Sequence, residues 1–379
     1  MNGMKARRCF VAVVSVLCFL FYSCDGTNVV NVDNVDIVDL NDIRSEIQIL
    51  PIKCDVPMDE IDHVMAYDDY IFLLGSSWKS IYCVQKDTVI SILDAAGRGR
   101  GEYSYINDFA YSQDEHILYV LADKKLMRYS VPEMDFIGSA DASFTSSTML
   151  FLNPDVILTN CSFYVENGKD VYGGICRVSS KTGEVLERCY DLDFMAKKML
   201  MSWDMLPMQG GIIFPESSLT LNRIMFFDTS KGVANELFSY SFNSNWKVPK
   251  RLVRLEKKDR ILYAMEAHNE PRRLEGGHFP SLNDSTLVFW CFPIEGNYGR
   301  RVAVIVRDGK VTCRSYTVDG KDFFVSPSFL QNGYCVDIIT PDLFEDVDET
   351  SLSPFAAELK RVVDAQPFDN PVFLYFKVE

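Results

Sequence analysis

ILDAAGRGRGEYSYINDFAYSQDEHILYVLADKKLMRY, residues 92–129, is where one structural module hands over to the next. Residues 89–93 end an apolar strand. Gly97, Gly99 and Gly101 then alternate through a loop in which backbone can take positive φ or approach another segment closely. New strands follow at 109–112, 117–122 and 125–129, short aromatic and branched runs separated by the polar clusters 112–115 and Asp123-Lys124.

The same grouping recurs on both sides of this stretch. Strand signals at 64–66, 70–75, 80–84 and 89–93 precede it; 149–152, 156–159, 173–178 and 185–189 follow, and further groups lie at 211–242, 286–316 and from Phe329 onward. The groups start about 40 residues apart, the period of four-stranded β-propeller blades. YIFLLGSSWKSIYCV at 70–84 aligns with ILYVLADKKLMRYSV at 117–131 once two residues of the first turn are gapped. We therefore expect an all-β, six-bladed β-propeller of four-stranded antiparallel blades over residues 45–379. Residues 46–52 supply its first strand. Residues 249–275 read as a charged, partly helical surface excursion and 342–349 as an acidic loop. A short helix is expected next, with Ser353 as N-cap, Pro354 at its first position and Phe355, Leu359, Val362 and Val363 on one face. The last strand, 372–378, is expected to pair with 46–52 and close the ring, removing two exposed edges.

The N-terminus belongs to a different physical class. Lys5, Arg7 and Arg8 precede an apolar run from Cys9 to Tyr22, too short to span a bilayer comfortably, and Ser23-Cys24 ends it. Residues 1–23 read as a lipoprotein signal peptide, Cys24 as the lipid-attachment site, and the Asp/Asn-rich residues 24–44 as a tether. Removing 1–23 takes away three basic residues and no acid, so the formal charge of −15 becomes about −18. Such a surface repels phosphate backbones and anionic headgroups, which argues against nucleic acid and leaves acyl chains as the route to a membrane.

Other chemistry is hard to place. Eleven cysteines less Cys9, Cys18 and Cys24 leave eight, none in CxxC spacing and most in apolar runs, as expected of small buried hydrophobes. Cys176 and Cys189 flank a hairpin and would face each other across a two-residue Thr182-Gly183 turn; a three-residue loop with Gly183 left-handed would shift that register. The four histidines, His63, His116, His268 and His278, have no close metal-ligand spacing. No GxSxG elbow is present, and Glu102-Tyr103 stand where a phosphate-binding loop needs Lys and a hydroxyl. No cofactor is implied.

Gly97-Arg98-Gly99-Arg100-Gly101-Glu102-Tyr103, followed by Ile106-Asn107-Asp108-Phe109, resembles the GxGPGEY…I.DF signature of the six-bladed β-propeller lipoproteins of Bacteroides-type bacteria, with Arg100 where that family usually has Pro. Asp369-Asn370-Pro371-Val372 is similar to the family's C-terminal NPV ending. The resemblance implies fold and export, and it carries no catalytic residues. The function expected is that of a lipid-anchored monomer in the cell envelope, at the outer membrane, that binds a glycan, peptide or protein partner without catalysis. A polysaccharide hydrolase or lyase and a scaffold subunit of an outer-membrane assembly are the alternatives. Residues 97–103 should cross one propeller face near the central channel. Two readings of them stand open. Arg98 and Arg100 could grip an anion while Tyr103 stacks on a sugar; or Gly97, Gly99, Gly101 and Glu102 could make a structural turn, with Glu102 paired to an arginine and Tyr103 packed between blades.

Overall fold

The computed structural model describes residues 29–31, 35–153, 155–166, 169–172, 174–190, 205–208, 210–217, 222–241, 254, 274–275, 281–283, 286–293, 302–307, 310–318, 324–325, 328–344, 350 and 352–377. The leader, Cys24 and most of 249–275 lie outside them.

In chain order, β1 (Val29–Asn31), β2 (Asp36–Asp39) and β3 (Gln48–Pro51) each join a sheet built by later residues. The first sheet is β4 (Ile61–Ala66), β5 (Ile71–Gly75), β6 (Ser80–Gln85) and β7 (Thr88–Asp94), paired in sequence order. The second is β8 (Ile106–Ser112), β9 (Ile117–Ala122), β10 (Lys125–Ser130) and β11 (Phe136–Asp141). The third holds β12 (Phe144–Asn153), β13 (Val156–Glu166), β14 (Lys169–Tyr172), β15 (Ile175–Ser179) and β16 (Val185–Tyr190). β17 (Leu206–Met208), β18 (Gly211–Ser217), β19 (Asn222–Asp228) and β20 (Val233–Ser241) form the fourth with β1. The fifth comprises β21 (Leu274–Glu275), β22 (Ser281–Asn283), β23 (Thr286–Pro293), β24 (Val302–Arg307), β25 (Lys310–Thr317) and β26 (Phe324–Val325), with β2 at its edge. The sixth is β27 (Phe329–Gln331), β28 (Tyr334–Ile339), β29 (Val372–Lys377) and β3. Helix α1 (Pro354–Asp364) precedes the last strand. Six sheets among the described residues match the six groups that the sequence predicts.

Two compact units are distinguishable, one holding 38–192, 200–203 and 316–379, the other 1–37, 193–199 and 204–315. In the first, alternation along each central strand divides its side chains between two interfaces. Phe72 and Leu74 of β5 pack with Leu118 and Val120 of β9, while Ile71 and Leu73 pack with Phe373 and Tyr375 of β29. Tyr119 and Leu121 of β9 turn the other way, onto Ile157 and Val178 of the third sheet. A strand buried on both faces has no polar positions, which is why β5 and β9 read as unbroken apolar runs. In the second unit Ile213 and Ile224 pack with Val302, Val304 and Val306.

The closing strand is where the sequence puts it. β29 pairs antiparallel with β28 on one side and with β3 on the other, Val372 opposite Pro51 and Tyr375 opposite Gln48. The fully buried Asn370 ties the approach to it, accepting from Met58 N at 2.9 Å and donating to the carbonyls of Cys54 at 3.3 Å and Val56 at 3.1 Å. In α1, Ser353 Oγ accepts from Ala356 N at 3.2 Å, and Phe355, Leu359 and Val363 are buried with Ala356, while Val362 lies half-buried.

Two readings are corrected and a third, left open, is decided. Residues 46–52 are not the first strand, since β1 and β2 precede it, and the span assigned to a tether is folded from residue 35 to 44. Leu40 is fully buried and its N–H donates to Thr317 O at 2.8 Å, and Arg44 holds both oxygens of Glu358 at 2.5 and 3.1 Å. Gly183 takes φ +69°, so Cys176 sits opposite Arg188 instead of Cys189, and neither cysteine forms a disulfide. Cys54, Cys83, Cys313 and Cys335 are also free and buried, in keeping with a packing role.

Candidate functional site

The glycine loop is a clasp. Tyr103 N donates to Ala95 O at 3.0 Å and Gly97 N to Tyr103 O at 2.9 Å, which brings the two ends of the loop together as a parallel bridge between Ala96 and Tyr103. Inside it, Gly99 N donates to Glu102 Oε2 at 2.6 Å. A Cβ at Gly97 would collide with that same carboxylate, and Gly101 stands at φ +80° with a would-be Cβ 2.6 Å from Phe136 Cγ of β11. One glycine thus admits the carboxylate and another supplies a backbone conformation that side chains resist. Glu102 is satisfied by the loop's own N–H and forms no ion pair with a described arginine, which corrects half of the structural-turn reading.

Tyr103 confirms the other half. It is fully buried among Phe72, Leu93, Phe109 and Tyr129, between the first and second sheets, and its hydroxyl donates to Lys79 O at 2.8 Å. Burial pushes its phenol up to about 12, so it stays neutral and cannot offer a face to a sugar. Tyr129 OH donates to Gly101 O at 3.0 Å, fixing the loop against β10. The loop therefore packs on β10 and β11 of the second sheet.

That position creates a cavity of about 290 Å³ lined by Gly99, Arg100, Gly101 and Glu102 of the loop, Lys125, Met127 and Arg128 of β10, and Phe136, Gly138 and Ser139 of β11. Arg100, Lys125 and Arg128 contribute three cations to its wall. None of the three forms an ion pair with a described carboxylate, and the Arg128 guanidinium reaches across Gly138, where a Cβ would come within 3.0 Å of its Nη2. The predicted site thus divides: Arg100 lines the cavity, Arg98 is exposed outside its lining, and Tyr103 belongs to the core. Lys125 and Arg128 were not legible as site residues, because nothing in a strand's alternation says which loop will come to rest beside it. Among the described residues no group of three or more His, Cys, Asp or Glu is placed to hold a metal ion.

Comparisons place this architecture. A Bacteroides fragilis protein described as exported aligns at 12% identity over 93% of this chain and 99% of its own, with a TM-score of 0.68. A member of the duf4221 family from Bacteroides vulgatus aligns at 11% identity over 88% of this chain and 99% of its own, with a TM-score of 0.48. No curated protein matches the chain. The family described as 6-bladed beta-propeller, DUF5128, matches residues 23–270, well over half of the sequence, and the chain belongs to that family.

Proposed function

We propose that this chain is an exported, lipid-anchored protein of the cell envelope whose propeller binds, without transforming it, a glycan, peptide or protein that carries an acidic group. The observation that carries the reading is the cavity beside residues 99–102: three cations without a carboxylate partner among the described residues, gathered on a chain of net charge −15, where acids outnumber bases 53 to 38. Arginine offers a planar fork to a carboxylate or sulfate and lysine a point charge, so together they suit an anion presented at a defined angle. Export is supported by Lys5, Arg7, Arg8 and the apolar run to Tyr22, and by a family match that starts only at residue 23, the last residue assigned to the leader. The similar B. fragilis protein is itself described as exported.

Two measurements test this. Titration calorimetry with galacturonate, sialic acid and a glutamate-rich peptide should find binding to at least one that weakens at high salt. The combined Arg100→Ala, Lys125→Ala, Arg128→Ala variant should lose it by tenfold or more while melting within a few degrees of the parent, since charge-assisted hydrogen bonds contribute about 1.5–3 kcal/mol each. Equal binding by the triple variant would remove the cavity from the argument. Separately, Cys24→Ala should shift the protein out of the membrane fraction or block its maturation, because the apolar run before it is too short to anchor alone. Undiminished membrane association with residues 1–23 still attached, read by mass spectrometry, would mean a signal anchor instead.

A further inference from the structure

We infer that Trp78 and Tyr105 form a stacking site for the pyranose rings of a polysaccharide. Trp78 lies in the turn between β5 and β6 at φ +58°, a conformation that glycine or asparagine takes readily and a bulky side chain does not. Trp78 is 38% exposed and is absent from the apolar cluster between the first and second sheets. Left-handed residues also stand in the β6–β7, β8–β9, β9–β10 and β10–β11 turns, at Lys86, His116, Asp123, Lys124 and Met134, so the hairpin sets the φ; what sets Trp78 apart is a large aromatic ring placed at such a turn and left partly in solvent.

The hydrogen bonds around it hold the strained turn in place. Ser76 N donates to Glu60 O at 2.6 Å, Trp78 N to Gly75 O at 2.8 Å, and Ile106 N to Trp78 O at 2.7 Å. Tyr103 OH secures the next carbonyl, that of Lys79. The clasp loop is thus the clamp that keeps Trp78 where it is. Tyr105, directly before Ile106, is 51% exposed and follows Ser104, whose N–H donates to Asp123 Oδ2 at 2.7 Å. Two exposed aromatic residues therefore stand on backbone segments that the Ile106–Trp78 hydrogen bond joins.

Their surroundings choose the ligand. Ser76, Ser77, Lys79, Ser104, Asp123 and Lys124 are all exposed polar neighbours in sequence or by hydrogen bond. A protein partner calls for a contiguous apolar centre with a polar rim, and a membrane calls for a basic field that this acidic chain lacks. Isolated flat rings amid hydroxyls and charges suit a ligand that is itself apolar on its flat faces and polar around its edge, which is the chemistry of a pyranose.

This inference rests on the binding role proposed above but on different residues and an uncharged probe, so the two can fail separately. The experiment is titration of the mature protein with the neutral hexasaccharides of cellulose, xylan, mannan and laminarin, followed by tryptophan fluorescence and calorimetry. At least one should bind and perturb the emission, and Trp78→Gly and Tyr105→Ala should each weaken it about tenfold or more. Trp78→Gly should melt at or above the parent's temperature, because glycine relieves the backbone, which separates lost binding from lost folding. Binding that persists in the Trp78→Gly, Tyr105→Ala double variant, or a panel that binds nowhere, overturns the site. Capture of the acidic probes by Arg100, Lys125 and Arg128 in that second case would leave the anion cavity standing.

Discussion

Deleting residues 372–379 is expected to abolish cooperative folding of the mature domain. β29 is an interior strand, hydrogen-bonded to β28 on one edge and to β3 on the other, so its loss uncovers two rows of backbone groups at once. Val372, Phe373, Leu374, Tyr375 and Phe376 are all buried, and at about 2 kcal/mol each their removal forfeits about 10 kcal/mol. A domain's whole margin is about 5–15 kcal/mol. The damage also travels, because Phe373 and Tyr375 pack against Ile71 and Leu73 of the first sheet and the ring of Phe376 lies 4.8 Å from that of Tyr316. Expression yield and a circular-dichroism melt decide the matter. A truncated protein with a cooperative transition within a few degrees of the parent would show that the final strand closes nothing.

This strand was legible in the sequence, and the reason is instructive. Residues 372–377 and Ile117–Ala122 combine dense apolar character with sharp polar or proline boundaries, so local composition already contains the answer. α1 was legible for a similar reason, since a capping serine, a proline and a period of three to four are all local signals. β1 and β2 were not. Val29–Asn31 pairs in parallel with residues 239–241, and Asp36–Asp39 joins β25, so each owes its conformation to a partner some two hundred residues or more away. An Asp/Asn-rich segment carries no apolar period of its own to betray that. The site divided along the same line. The glycines and Glu102 announce a turn, whereas the convergence of Arg100 with Lys125 and Arg128 depends on where the loop lands, and the left-handed Trp78 contradicts the residue preferences by which turns are read.

Gly101→Val is expected to lower the melting temperature by about 10 °C. Holding a β-branched residue at φ +80° costs about 1–3 kcal/mol, and the new Cβ, only 2.6 Å from Phe136 Cγ, adds an overpacking cost of about 1–3 kcal/mol. For a domain of this size each kcal/mol shifts melting by about 2–4 °C at most. Tyr103→Ala should be as damaging, since truncating a buried aromatic costs about 3–5 kcal/mol and leaves Lys79 O without its hydroxyl donor. Tyr103→Phe isolates that last loss and should fall well short of it. Arg98→Ala and Arg100→Ala, both at exposed positions, should move melting by less than the scatter between surface variants, within about 0.5 kcal/mol. The two arginines then part company in binding: Arg100→Ala should weaken capture of an acidic probe and Arg98→Ala should not, because only Arg100 lines the cavity. A destabilising Arg100→Ala would make that arginine part of the clasp. A harmless Gly101→Val would mean that the loop is free to move away from Phe136, and the cavity between them would lose its fixed shape.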